Sequence, residues 1–463
     1  MNSFFSTVSY YISDLKNIFI AIFFTLSSYH IYPQKIETSD LSKIKLGDVV
    51  EIENKIRKEK FNKILPRVMR DNNIDMWIHV IRPWTPDPFC FEFGAEEGVF
   101  IFTDKGDDKI ECAAFSHDIK DPTAYDIVDR KGMAREHMSG TPLEMDFRFV
   151  GLRRFVSDRN PHSIGINYMD VLNVASSSEQ EPLTDGISYK DYNLIMHSLG
   201  DVYSKRVKSA EYLVMDYLSG RVQEEIELYK RFGIIAAENL DREFAKVIPN
   251  VTKLSDLEGN VFLRLPDGTE RHASDPDPYV IKRGDLFTIL HGSGNNIFHS
   301  DLGGNAYILK ENESEPPHEI KEIWEHALVI RKILKKNIKH GLSAGETLTL
   351  LINEIKKSGY HYTPVDRYDK NIDPLLTQVH LDCHAVGRSG LIGPRISPLG
   401  PDWVRNMKIP LLHTFTFEYM VHMPVPKWGK GKHLYLAFHD GAVVDERGVF
   451  FPYQPDQGIR IIR

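Results

Sequence analysis

The sequence predicts an α/β (α+β) chain in two halves. Three observations carry this. Short β-branched and aromatic runs alternate with helical stretches through the first half. A long amphipathic helix opens the second half, and that half also holds apolar strands with isolated polar residues set in them. The boundaries fall at residues 1–45, 46–209 and 210–463, the first being an apolar N-terminal segment.

In the first half, Asp75–Ile81, Gly98–Thr103, Lys109–Phe115 and Ser163–Tyr168 read as strands, each bounded by turn residues. Helices are expected over Val50–Asn72 and Tyr189–Leu199, and the alternation predicts a layered α/β unit. In Arg221–Ile248, the residues Ile226, Tyr229, Gly233, Ala236, Leu240 and Phe244 recur every three or four positions, one face of a helix that Pro249 ends. Glu319–His340 is helical, and Ser343 with Glu346 forms a capping box for a further helix to about Ser358. Asp285–His291, Ile297–Leu309, Leu412–Val421 and Leu434–Val444 read as strands.

Composition narrows the function classes. With 57 Lys+Arg against 65 Asp+Glu, the formal net charge is −8. No basic tract is present to neutralise phosphates, so nucleic acid is not an expected partner. Hydrophobic residues at 42 % are enough for packed cores. Three scattered cysteines, Cys90, Cys112 and Cys383, make neither a disulfide scaffold nor a cysteine zinc site. The apolar run Asn17–Ser28 is shorter than the roughly 20 residues of a membrane span. It reads either as a signal or anchor with membrane contact, or as a buried helix. A cytoplasmic and an exported protein both remain open.

Chemistry concentrates in four segments of the second half. Asp301 follows Phe298-His-Ser, His384 sits in His-Ala-Val-Gly, Glu418 ends Thr-Phe-Thr-Phe-Glu, and His439-Asp440 follows the apolar run Leu434–Phe438. An ionised carboxylate inside an apolar strand is costly unless it is paired or bound to a cation. Two histidines with two carboxylates suit a divalent metal such as Mn, Zn or Fe.

The order and spacing of these segments resemble the pita-bread metallopeptidases, which include aminopeptidase P, prolidase, methionine aminopeptidase and creatinase. The first half resembles the creatinase-type N-terminal domain, and Glu211–Ile235 resembles the family's junction, a strand leading into a helix with an acidic Glu-Glu-Ile-Glu run. The resemblance implies a pair of metal ions held by two Asp, one His and two Glu, a peptide or amino-acid-like substrate, and a homodimer. Carried over, it assigns Asp301, His384 and Glu418 as ligands, with Glu418 and His384 sharing the proton work. The last Glu is replaced by His439. Eleven residues before Asp301, where the family has its first Asp, the chain has Leu290.

The surviving set, Asp301, His384, Glu418 and His439, implies one divalent ion if any. His299, two residues from Asp301, is expected on the same strand face and within reach of the vacated position, with His291 pointing the opposite way. His272 is the one candidate for an upstream substrate-binding His. Seven residues after His384, where a second substrate His is expected, stands Leu391, and Ala437 replaces the Arg beside the last Glu. His413, His422 and His433 read as ordinary strand or surface residues, and Pro424–Gly431 as a loop near the site mouth. The leading reading is a metal-dependent hydrolase of Xaa-Pro aminopeptidase type with an altered site. The alternatives are a non-catalytic binding module and a metal-free creatinase-like enzyme using histidine as acid and base.

Overall fold

The strand Met76–Ile81 (β1) is buried along its whole length, which explains why its sequence shows no polar alternation. One of its faces packs Met76, Ile78 and Val80, and the other packs Trp77 and Ile81, into separate cores. The computed structural model describes residues 46–83, 87–130, 147–149, 151–172, 186–294, 298–388 and 392–463. The chain divides into two units, Met1–Lys43 and Ile44–Arg463, and every described residue belongs to the second. The apolar run of residues 17–28 lies outside them. Among the described residues no helix is long and apolar enough to cross a membrane.

Five further strands complete the first sheet: β2 (Gly98–Asp104), β3 (Ile110–Phe115), β4 (Ile127–Asp129), β5 (Ile164–Ile166) and β6 (Val207–Ser209), in the order β4-β3-β2-β1-β5-β6. All four strands expected here form. The single helix expected over Val50–Asn72 is two, Leu46–Lys63 and Leu65–Asp71. Pro66 opens the second, as suits a residue with no amide hydrogen to donate. Between β6 and the long helix, a short helix, Glu211–Ser219, intervenes before Gly220 breaks the chain.

The long helix runs Gln223–Ala245, three residues short of Ile248, and all six residues of the expected apolar face are buried. It lies against β9 (Leu286–Gly294) and β10 (Phe298–Ile308). With β7 (Asn260–Arg264), β8 (Glu270–His272), β14 (Gly387–Arg388) and β18 (Arg460–Ile462) these make the second sheet, ordered β14-β10-β9-β7-β8 with β18 beside β10. The third sheet, β11-β12-β15-β16-β17, comprises His361–Tyr362, Gln378–Leu381, His413–Pro424, His433–Asp445 and Gly448–Phe450, with β13 (His384–Ala385) beside β15. The helix His318–Asn337 covers its back, tied there by Arg331, whose guanidinium donates to Asp440 at 2.8 and 3.1 Å. Ser343 caps the next helix, Ala344–Lys357, through the expected box with Glu346.

The second and third sheets meet where β10 approaches β16. The Asn305 amide donates to the Ala437 carbonyl at 2.9 Å across this seam. Gly303 lies beside it, where a Cβ would crowd a terminal methyl of Leu290 at 2.8 Å and His439 at 3.3 Å.

A buried ion network fastens this seam to the first half of the chain. Arg388, on β14, donates to Glu92 Oε1 at 2.6 Å, and Lys60 lies 3.0 Å from Glu92 Oε2. Glu225 lies 3.8 Å from Arg388, and Arg221 donates to the Arg388 carbonyl at 2.7 Å. Burial opposes the Glu92 charge, yet Arg388 and Lys60 outweigh it and bring its carboxyl down to about 2. Burial, helped by the neighbouring Arg221 and Arg388 cations, outweighs Glu92 and Glu225 and pushes the Lys60 ammonium below its ordinary range.

Candidate functional site

Strand alternation decides which side chains share the seam. Glu418 and His439 stand directly opposite in the β15–β16 ladder, and His384 pairs with Thr416 on the other side of β15. Asp301 lies on β10 opposite Gly292, with Leu290 two residues further along β9 opposite Gly303. Four chain segments distant in sequence therefore bring Asp301, His384, Glu418 and His439 together, the four residues that the sequence singles out.

The contacts form a ring. His439 Nδ1 lies 3.0 Å from Asp301 Oδ2, and its Nε2 lies 3.5 Å from Glu418 Oε1. His384 Nε2 lies 3.4 Å from Glu418 Oε2 and 3.6 Å from Asp301 Oδ2. His384 Nδ1 donates to the Ala385 carbonyl at 2.9 Å, which orients the ring. Glu418 and His439 are essentially sealed, whereas the Asp301 side chain keeps 29 % of its surface open.

Burial disfavours every charge here, and the partners reverse it. Asp301 and Glu418 raise the His439 imidazolium well above the ordinary histidine range, and Glu418 and Asp301 raise His384. In return His439 and His384 hold Glu418 well below the usual carboxylate range and also lower Asp301. These shifts favour imidazoliums facing carboxylates, whose opposite charges offset one another.

As placed, His439 does not suit an ion. A metal ligand aims one lone pair at the metal, but both ring nitrogens of His439 are turned onto carboxylates. Among the described residues no group of three or more His, Cys, Asp or Glu side chains could hold a metal. Leu290, at the position of the missing acid, packs against a small apolar patch of Phe262, Met420, Tyr435 and Ala437 on the same face. Phe438 faces the other way, stacked on Tyr419 at 4.8 Å.

The other candidates are not among the four ring residues. His299 sits two residues before Asp301 on β10, in register with Gly294 and Gly387. His272 is partly exposed on β8, 3.3 Å from Glu270, with its ring stacked on Phe262 at 5.8 Å. His291 is buried and faces away, as expected, and position 391 lies outside the described residues. Residues 424–427 border a recess of about 470 Å³ with Glu319, His326 and Tyr360, and none of the four ring residues lines it.

Sequence reasoning missed a second polar group on the same face. His413, His422 and His433 are all buried rather than at the surface. His422, one turn of the pleat beyond Met420 from Glu418, donates to Asp366 Oδ1 at 2.9 Å. Tyr435, its partner across the ladder, donates to Asp366 Oδ2 at 3.0 Å. Arg264 at the end of β7 grips both oxygens, at 3.1 and 2.6 Å. Burial opposes the Asp366 charge, but His422 and Arg264 hold it far below the carboxylate range.

No protein-family model and no curated protein matches this sequence. Solved structures do match. The X-Pro aminopeptidase of Thermotoga maritima superposes with a TM-score of 0.54 at 15 % identity, over 86 % of this chain and 100 % of its own. The Xaa-Pro dipeptidase of Bacillus anthracis gives 0.51 at 15 % identity, over 88 % and 99 %. The fold is the pita-bread fold. Dipeptidase PepE of Mycobacterium ulcerans matches at 0.50 with 10 % identity, over 89 % and 98 %. In pita-bread terms the ring lies at the seam of the two C-terminal sheets. At these identities the likeness establishes architecture, and function has to be argued from the site.

Proposed function

We propose that this chain is a pita-bread protein that binds a peptide or small amino-acid-like ligand on the face of the seam without hydrolysing it. One observation carries the reading: the His439 ring bridges Asp301 and Glu418 through both nitrogens. A hydrolytic site needs a free base or an activated water. Here both Glu418 oxygens face imidazoles, which makes Glu418 a weak base, and the place between the carboxylates is taken by the His439 ring. The open edge of Asp301, beside Leu290, remains as the place where a ligand would approach the seam.

A second reading is favoured by the fixed ring of His384, whose Nδ1 is committed to Ala385. Such outer anchoring is common in histidines that present Nε2 to a metal. A one-ion hydrolase of Xaa-Pro type would follow if His439 turned away from Asp301.

One experiment separates the two. The purified full chain, soaked in Mn and Zn and then desalted, is assayed for metal by mass spectrometry and for cleavage of Xaa-Pro dipeptides. The binding reading expects no stoichiometric metal and no turnover. About one equivalent of metal, with cleavage lost in Glu418→Ala, would overturn it.

A further inference from the structure

The Asp366 contacts are unusual in where they lie. Asp366 belongs to an irregular segment, residues 363–377, between β11 and β12, and the segment is largely exposed, with Val365 at 60 % and Leu375 at 77 %. Its inward anchors include Asp366 and Tyr368, the latter stacked on His433 at 4.2 Å. The three residues that hold the Asp366 carboxylate come from three strands on two sheets: Arg264 from β7, His422 from β15 and Tyr435 from β16. The three also have contacts other than Asp366. Arg264 lies over the Tyr435 ring at 4.1 Å and has a second partner in Glu270 at 2.9 Å, while the Tyr435 and His422 rings stand 5.0 Å apart.

A planar guanidinium, a phenol and an imidazole converging on both oxygens of one carboxylate form a recognition site for a carboxylate. It lies on the face that carries the ring. His422 stands four positions beyond Glu418 on β15, about 13 Å of extended strand, and the buried side chains of Met420, Ala437, Phe262 and Tyr435 line the interval beneath the segment. That spacing fits a short extended peptide with a free C-terminus. We propose that Arg264, His422 and Tyr435 are a binding site for the carboxylate end of such a peptide, and that Asp366 occupies it as a built-in stand-in, so that segment 363–377 is a strap the ligand displaces. The inference rests on the binding reading of this face and names its ligand class.

The test uses the full chain and two probes, the tripeptide Gly-Ala-Leu and its C-terminal amide, in calorimetric titrations. Asp366→Ala empties the cradle, and the tripeptide acid is expected to bind about tenfold tighter than to the wild type. The amide gains nothing, and adding Arg264→Gln abolishes the gain. No tightening, or equal tightening for acid and amide, overturns the strap. If Asp366→Ala does not fold, hydrogen exchange on the wild type replaces it: saturating acid, but not amide, is expected to speed exchange across residues 364–376. Unchanged exchange overturns the proposal. Peptide recovered from each titration is checked for cleavage. Cleavage counts against the non-hydrolysing reading alone, because the acid-against-amide comparison still reads the strap.

Discussion

His439 is joined to Glu418 across the β15–β16 ladder and to Asp301 on β10, so a single imidazole links carboxylates on two sheets. Its positive charge stabilises the seam only while it keeps its proton, and each carboxylate contributes only while it is ionised.

The pH dependence of stability follows, with opposite signs for the two kinds of group. His439 titrates in the fold well above its ordinary value of 6.5, so its contribution is complete below that value and disappears as pH rises through the folded pKa. Glu418 titrates well below 4.5, so its contribution is complete above 4.5 and disappears as pH falls through its folded pKa. The melting temperature of the wild type relative to His439→Gln is expected to be highest between these values and to shrink above pH 7. A difference that does not vary with pH would remove the imidazolium from the account.

Glu418→Gln leaves two buried histidines facing a neutral amide. Breaking one member of a buried charge cluster costs roughly 3–5 kcal/mol. A urea titration is expected to show a loss of about 3 kcal/mol. A loss under about 0.5 kcal/mol, the range of a surface change, would mean that the ring is not charge-paired.

Leu290→Asp with His439→Glu should turn the ring into an ion site. The pair supplies two carboxylates and removes the bridging cation, leaving two Asp, one His and two Glu around the seam. Mass spectrometry after Mn soaking is expected to find bound metal in the double variant and none in the wild type. An empty double variant would show that backbone geometry, not these two residues, keeps ions out.

Gly441 and Gly233 both give way to Tyr453, which lies where either would carry a Cβ, and the Tyr229 hydroxyl is 2.7 Å from the Gly441 position. Gly441→Ala is expected to cost about 1–3 kcal/mol, the usual range for overpacking. Adding Tyr453→Phe should recover part of it, because the hydroxyl is the atom nearest the new methyl. Failure to recover would place the strain in the strand backbone instead.

The ring was legible because each member interrupts an apolar strand, and a charge in such a setting needs partners. The long-helix face and the Ser343 cap were legible from local spacing alone. The Asp366 cradle was not. Asp366 lies in an irregular segment with no period to read, and Arg264 ends a five-residue strand. His413, His422 and His433 looked ordinary because β15 and β16 are buried on both faces, which erases the alternation that separates inner from outer residues. The state of His439 was also out of reach, since it depends on which two carboxylates its nitrogens meet.

The Arg388–Glu92 contact ties together residues 296 positions apart. Arg388 is on the strand that pairs with β10 two residues from Asp301. A fragment starting after residue 210 would bury this guanidinium without Glu92, and Glu225 at 3.8 Å would be its remaining carboxylate neighbour in the network. Such a fragment should therefore be insoluble or protease-sensitive when produced alone, and should recover when residues 46–209 are supplied in trans. During synthesis the seam cannot reach its final geometry until most of the chain has emerged, so maturation of the site is coupled to completion of both halves.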